Sequence, residues 1–258
     1  YGARVVHIAP EEFTFGRSLN TGIAAAKHEV IAIISAPCYP VYPDWLEKLT
    51  APLSDPEVAV SYGKQRGGKT NQYSEHQWFK QYFPDYSIPR QGHSYCHNAK
   101  SAIRRSLWEQ HPYNEQLTGL EDLGWGSWAF TEGYTIAYTH EAEIIHLHDE
   151  RPAQVYNRYR REAVAMKQIL PDSKFTLWRA VRLAVSSIFS DLLEARREGV
   201  LKQHFGSILW FRAMQYAGTY RGYRHRGTVA GLHQQFYYPP GILTEKKPVS
   251  RDVEPIEY

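Results

Sequence analysis

The chain has 258 residues, 43% of them hydrophobic and 22% charged, with a net charge of +3. That is enough for one sizeable domain or two small ones and too apolar for a disordered chain. The two cysteines, Cys38 and Cys96, argue against a disulfide framework, and no run of about 18 apolar residues reads as a membrane-spanning helix. The charge is uneven. Residues 1–150 carry 12 Lys/Arg against 18 Asp/Glu, a net of −6, whereas residues 151–235 carry 15 against 5, a net of +10.

In chain order, Arg4–Ile8 reads as a short strand and Arg17–Lys27 as a helix with Leu19, Ile23 and Ala26 on one side. Val30–Ser35 is a continuous apolar run, as expected of a strand buried on both faces. Pro43 and Asp44 open a helix over Trp45–Leu53, and Val58–Tyr62 is another strand. The stretch Gly63–His97 is long, polar and rich in glycine and proline, and reads as a functional loop or a disordered one. Ala99–Gln110 holds a strand-to-helix turn. Asp122–Glu132 reads as a helix closed by Gly133. Two strands, Thr135–Tyr138 and Glu143–Leu147, follow. The β-α-β alternation predicts an α/β fold with a mainly parallel sheet.

The second half changes character. Pro152 marks a helix start, with Val155, Tyr159, Ala163, Met166 and Leu170 at helical spacing. Thr176 can cap a second helix, which Gly199 ends, and a third runs from Val200 to Tyr216. The predicted division is an α/β domain over residues 1–149, a basic helical extension over 150–235 and a tail over 236–258.

In an open α/β sheet, ligands bind beyond the carboxyl ends of the strands. The informative segment is GLEDLGWGSWA, in which Glu121 and Asp122 open a helix after a turn. The helix dipole there favours ionised carboxylates, and such a group can take a proton from a hydroxyl. An ordinary helix start carries acids in the same place, so spacing leaves both readings open.

Taken together, these segments resemble family 2 glycosyltransferases with the GT-A fold. FTFGRSLNTGIAAAKHEVIAIIS is similar to that family's Arg- and Asn-bearing helix and central strand. SAPCYPVYPDWLEKL stands where the family has its Asp-x-Asp motif, and NAKSAIRRSLWEQHPYNEQLTGLEDLGW resembles its acceptor-side strand, Arg-bearing helix and Glu-Asp motif. The order VSYGKQ, SEHQWF, FP is similar to a rhamnosyltransferase-like subgroup. The resemblance covers Tyr1–Asp149. It implies a GT-A-like domain lacking the opening nucleotide-binding unit. The implied activity is inverting transfer of a hexose or deoxyhexose, rhamnose included, from a nucleotide-sugar donor to a polysaccharide or lipid-linked glycan acceptor. Carried over residue by residue, it makes Asp122 the catalytic base with Glu121 beside it. Arg17, Asn20 and Ser35 fall on the donor side; His97, Asn98, Trp125 and Gln65 fall on the acceptor side.

The chain departs from the family at its metal site. Ser35 and Pro37 stand where two aspartates would bridge Mg²⁺ or Mn²⁺ to the diphosphate, and neither replaces a carboxylate. His146 and His148 form an HLH pattern, and in the resembled family a histidine near this point can be a metal ligand. The missing motif also leaves open a non-catalytic scaffold or glycan-binding subunit of the same fold. The basic extension, with Arg158, Arg212, Trp178, Trp210 and Phe211 among its residues, predicts peripheral attachment to an anionic membrane surface from the cytoplasmic side. Helical arms of this kind also suggest a homo-oligomer. No nucleic-acid-reading motif accompanies the charge.

Overall fold

The computed structural model of the protein describes residues 2–227 and Phe236. Most of the predicted tail, residues 236–258, lies outside them. The first helix, α1 (Phe15–Ala25), starts at Thr14, whose hydroxyl accepts the Arg17 N–H. A five-stranded sheet follows: β1 (Val30–Ile34), β2 (Cys38–Pro40), β3 (Val58–Gly67), β4 (Lys100–Arg104) and β5 (Thr135–His146), in the spatial order β1-β4-β3-β5-β2. Between them come the helices α2 (Trp45–Thr50), α3 (Tyr73–Tyr82), α4 (Arg105–Gln110) and α5 (Glu121–Thr131).

The sheet is mixed. β1, β3 and β5 run the same way, as the alternation predicts, but β4 lies reversed between β1 and β3, and β2 lies reversed against β5. Only β3 and β5 are paired in parallel. The reversal follows from the connection: the chain enters β4 directly from the 83–99 stretch rather than through a crossover helix returning to the starting edge. The two strands expected over 135–147 are one, β5, whose register against β3 shifts between Gly63 and Gln65.

Four local expectations are corrected. Arg4–Ile8 forms no strand; Val5 is exposed and pairs with no neighbouring strand among the described residues. Val30–Ser35 is not buried on both faces, because β1 is an edge strand whose Ile31 is buried while Val30 and Ile34 are exposed. The second helix ends at Thr50, where Pro52 turns the chain into a 3-10 segment. The polar stretch 63–97 is not all loop: β3 continues to Gly67 and α3 occupies Tyr73–Tyr82.

Helices cover both faces of the sheet. Trp45, Leu49 and Leu53 pack on one face against Ala102, Ala137 and Ile144. The other face carries the larger core: Ile23 of α1, Phe79 of α3, Leu107 of α4, and Trp125 and Ala129 of α5 pack on Val60, Ile103 and Ile136.

The helical extension is α6 (Pro152–Ile169), α7 (Leu177–Arg197) and α8 (Leu201–Tyr223). Thr176 caps α7 through its hydroxyl, as predicted, and Gly199 has φ +76° at the turn into α8. α6 and α8 approach backbone to backbone at Gly218 and Gly222, where an added Cβ would lie 2.3 Å from the Tyr156 carbonyl oxygen and 2.4 Å from that of Arg160. Asp191 of α7 and Arg212 of α8 form a buried ion pair, and Arg212 also donates to the Ser74 carbonyl at the start of α3. A chain of long-range bonds thus fixes the extension to the sheet domain. No helix among the described residues is long and apolar enough to cross a membrane.

Candidate functional site

The site is a cavity of about 630 Å³ between the sheet end, α3, the start of α5 and the extension. Asp122 lines it. Leu120, immediately before α5, has φ +55°, a left-handed conformation costly for a leucine. The tight turn brings Glu121 and Asp122 into the first turn of α5. Asp122 Oδ2 accepts the Asn98 N–H at 3.0 Å and Oδ1 accepts the Leu123 N–H at 2.8 Å, so both carboxylate oxygens are fixed. Burial raises the Asp122 carboxyl above its ordinary value; those backbone N–H groups and Lys100 oppose the rise. Burial and the adjacent Asp122 charge push Glu121 up to about 8. The two backbone N–H groups and Lys100 favour the ionised form of Asp122, whereas burial and the neighbouring Asp122 charge favour the protonated form of Glu121.

Gln65 and His97 join Asp122 in the wall. Gln65 lies near the end of β3, and its carbonyl oxygen accepts from Lys100 Nζ at 2.9 Å. The His97 ring is neutral: burial, then the Lys100 charge, hold it well below the usual histidine range. His97 Nδ1 accepts the Ala99 N–H, which leaves the ring proton on Nε2.

Other predicted site residues fall elsewhere. Asn98 holds Asp122 through its backbone but is itself buried and absent from the cavity wall. Trp125 is a core residue rather than a wall; its Nε1 donates to the His111 carbonyl, because the helical period turns position 125 toward the sheet. Asn20 spends its amide inside the protein, donating to the Tyr113 carbonyl and Glu115 and accepting from Trp108 Nε1 and the Tyr113 N–H. Arg17 pairs with Glu12 at the surface. Ser35 sits in the turn after β1, where its N–H donates to the Ala99 carbonyl. Arg17, Asn20 and Ser35 are all outside the cavity wall.

Several wall residues escaped sequence reading. Trp78 and Tyr82 of α3 stack at 4.6 Å and supply the aromatic wall expected from Trp125. Their i, i+4 spacing was the available signal, masked by the polar composition around it. Arg158, Tyr159, Glu162 and Met166 come from α6, so the extension builds part of the site.

A charged cluster sits at one side of the cavity. Glu75 Oε1 contacts His148 Nδ1 at 2.5 Å and Arg158 Nη2 at 3.0 Å, and Arg158 also binds Glu150 at 2.6 Å. Burial works to raise the Glu75 carboxyl, but His148 and Arg158 hold it below the usual range. Ligand atoms of Glu75, His148 and Glu150 lie within 4.8 Å of one another. They do not fit a divalent cation as they stand, because the Arg158 guanidinium already occupies both carboxylates. Cys38, near the missing motif, offers a thiol rather than a thiolate, since burial pushes it up to about 11. His146 stands 4.2 Å from His148, ring to ring, but outside the cluster, and burial takes it down to about 3.

Comparison with known proteins bears on this arrangement. The O-antigen chain rhamnosyltransferase WbaN of Salmonella anatum is 25% identical over 170 residues, which cover 62% of this chain and 54% of the relative. The chain thus spans about half the length of that curated relative. A mannosyltransferase from Pyrobaculum calidifontis, solved with GDP-Man and Mn²⁺, superposes with a TM-score of 0.48 at 15% identity, covering 86% of this chain and 67% of the other. The sequence model described as "Glycosyl transferase family 2" matches residues 1–111, which contain the helix α1, the strands β1 to β4 and the site residues Gln65 and His97. Over residues 1–111, the chain is thus similar to glycosyl transferase family 2.

Proposed function

We propose that the protein is the catalytic part of an inverting, nucleotide-sugar-dependent glycosyltransferase, with Asp122 as its base. The observation that carries the reading is the position of Asp122: a carboxylate with both oxygens fixed by backbone N–H groups, in the wall of a cavity of about 630 Å³. A cavity of that size admits a saccharide. The stacked Trp78 and Tyr82 offer an apolar face to a sugar ring. The Gln65 amide and His97 Nε2 supply donors for its oxygens.

In the reaction, an acceptor hydroxyl gives its proton to Asp122 as its oxygen attacks the anomeric carbon of the donor. The bond from that carbon to the diphosphate oxygen breaks, the nucleoside diphosphate leaves, and a single displacement inverts the anomeric centre. Protonated Asp122 then returns its proton to water. The similarity of residues 1–111 to glycosyl transferase family 2 and the rhamnosyltransferase relative support a hexose or deoxyhexose donor, rhamnose included, and a polysaccharide or lipid-linked glycan acceptor. No step is assigned to a divalent cation, because the residues at its expected place do not fit one.

The test is transfer from a panel of nucleotide sugars, with the product's anomeric configuration read by NMR. Inverted product that disappears in Asp122→Asn is the expected result. Absence of turnover with every donor, while glycans still bind, would instead make the chain a non-catalytic binding subunit.

A further inference from the structure

The helix α7 has apolar residues on two sides. Ile188, Leu192 and Ala195 pack inward toward Tyr73 of α3 and Ile208 of α8. Leu177, Trp178, Val181, Val185, Phe189 and Leu193 are exposed instead. Successive members from Trp178 onward are three or four residues apart, so they form one stripe along the helix. Trp178, Phe189 and Val185 are 75%, 63% and 61% exposed. Soluble surfaces carry scattered apolar residues, but a continuous run along about four turns marks an interaction face.

Charge identifies what the face meets. The exposed charged residues of α7 are Arg179, Arg182, Arg196 and Arg197, with no exposed carboxylate among them. Its two acids are engaged: Asp191 is buried against Arg212, and Glu194 pairs with Arg197. Arg182 and Arg196 have no ion-pair partner among the described residues, and both fall on the stripe's side of the helix. A second copy docked through the same stripe would bring arginines together with no exposed carboxylate to receive them.

We propose that this face of α7 lies on an anionic phospholipid surface, with the helix in the plane of the membrane. The apolar stripe enters the acyl boundary, and the arginines remain at the phosphates. The surface carries this by itself, whatever reaction the cavity performs. Its placement still matters to the site, because Phe175 and Arg179, at the start of α7, also line the Asp122 cavity. An acceptor anchored in the bilayer would meet the cavity beside the docking helix.

The test is flotation of the full chain with phosphatidylcholine vesicles, with and without roughly 30% phosphatidylglycerol, at about 0.1 M salt. The chain should float with the anionic vesicles only and dissociate at about 0.5 M salt. W178E/V185E/F189E puts good helix formers at exposed positions, so circular dichroism should be unchanged while partitioning falls at least about tenfold. R182Q/R196Q should lower it by about tenfold without touching the stripe. S186C carrying an environment-sensitive dye gives a local readout, since Cys38 and Cys96 are buried; its emission should shift blue with anionic vesicles. Failure to float with anionic vesicles overturns the proposal, as does flotation equal with neutral vesicles and unaffected by either variant. A lipid-free dimer that W178E/V185E/F189E dissociates, without vesicle binding by the wild type, would make the face a self-association surface and overturn it as well.

Discussion

Lys100 Nζ donates to Gln65 Oε1 at 2.9 Å, and Lys100 is fully buried with Nζ 3.9 Å from the centre of the Phe83 ring, where burial holds the amine well below the usual lysine range. The carbonyl end of Gln65 faces Lys100, so its NH₂ is left for a ligand in the cavity. Gln65→Glu keeps a partner for Lys100 but replaces that donor with an acceptor. Steady-state kinetics should show KM for the saccharide substrate rising about tenfold, the equivalent of a lost hydrogen bond, with kcat changing less. Lys100→Met frees the amide to flip and should raise KM by about threefold. Its melting temperature should be unchanged or higher, because an apolar side chain replaces a buried amine.

Asp122→Asn should lower kcat/KM by about a thousandfold. The amide places an NH₂ against one of two backbone N–H donors, so the variant should also lose about 1–2 kcal/mol of stability, measurable by denaturant unfolding. Transfer within tenfold of wild type would remove Asp122 from the base role.

Two carboxyls should give opposite pH dependences. Glu121 has a raised value, so its contribution to stability is fully present below pH 4.5 and lost as pH rises toward about 8. Glu121→Gln should therefore gain stability relative to wild type across that window. Glu75 has a lowered value, so its contribution is present above pH 4.5 and lost as pH falls through its folded value. Glu75→Gln should differ most from wild type at neutral pH and converge with it in acid. Thermal unfolding across pH reads both. Carbon NMR should show the Glu121 titration moving down from about 8 in Asp122→Asn, while burial keeps it above the ordinary glutamate value.

Transfer should persist in excess chelator, and calorimetric titration with Mn²⁺ should give no tight site. The physical reason is Arg158, which binds the two carboxylates a cation would need. Arg158→Met should cost about 3 kcal/mol, because it removes the guanidinium that Glu75 and Glu150 share and leaves Glu75 with His148 and Asn71 alone.

Gly218→Ala should destabilise the protein by about 2 kcal/mol or more, since a Cβ there meets the Tyr156 carbonyl oxygen at 2.3 Å. Gly206→Ala, on the same helix with nothing within 4 Å of the added carbon, should be neutral or stabilising. Denaturant midpoints of the two variants check the pair.

The residues themselves specify much of the framework. The apolar run at Val58–Tyr62, the strand-to-helix turn before Arg105, the Thr176 cap and the helical spacing of Val155, Tyr159 and Ala163 are local patterns, set by periodicity and capping chemistry within one element. The Glu121-Asp122 pair is legible for the same reason: adjacent acids at a helix start are a short-range signal. Its surroundings depend on residues far apart in sequence. Lys100 reads as an ordinary strand lysine until packing buries it against Phe83 and Gln65. Trp125 and Trp78 are both aromatic residues in amphipathic segments, and only the packing of α3 and α5 decides that Trp78 meets the cavity while Trp125 fills the core. The arginines of the extension look alike in sequence; the fold buries Arg158 and Arg212 in ion pairs and leaves Arg182 and Arg196 on the surface. Sequence determines which faces are apolar, because that depends on spacing along the chain. Tertiary structure decides what each face meets and which charges stay free, because burial and partner identity arise from contacts no local pattern encodes.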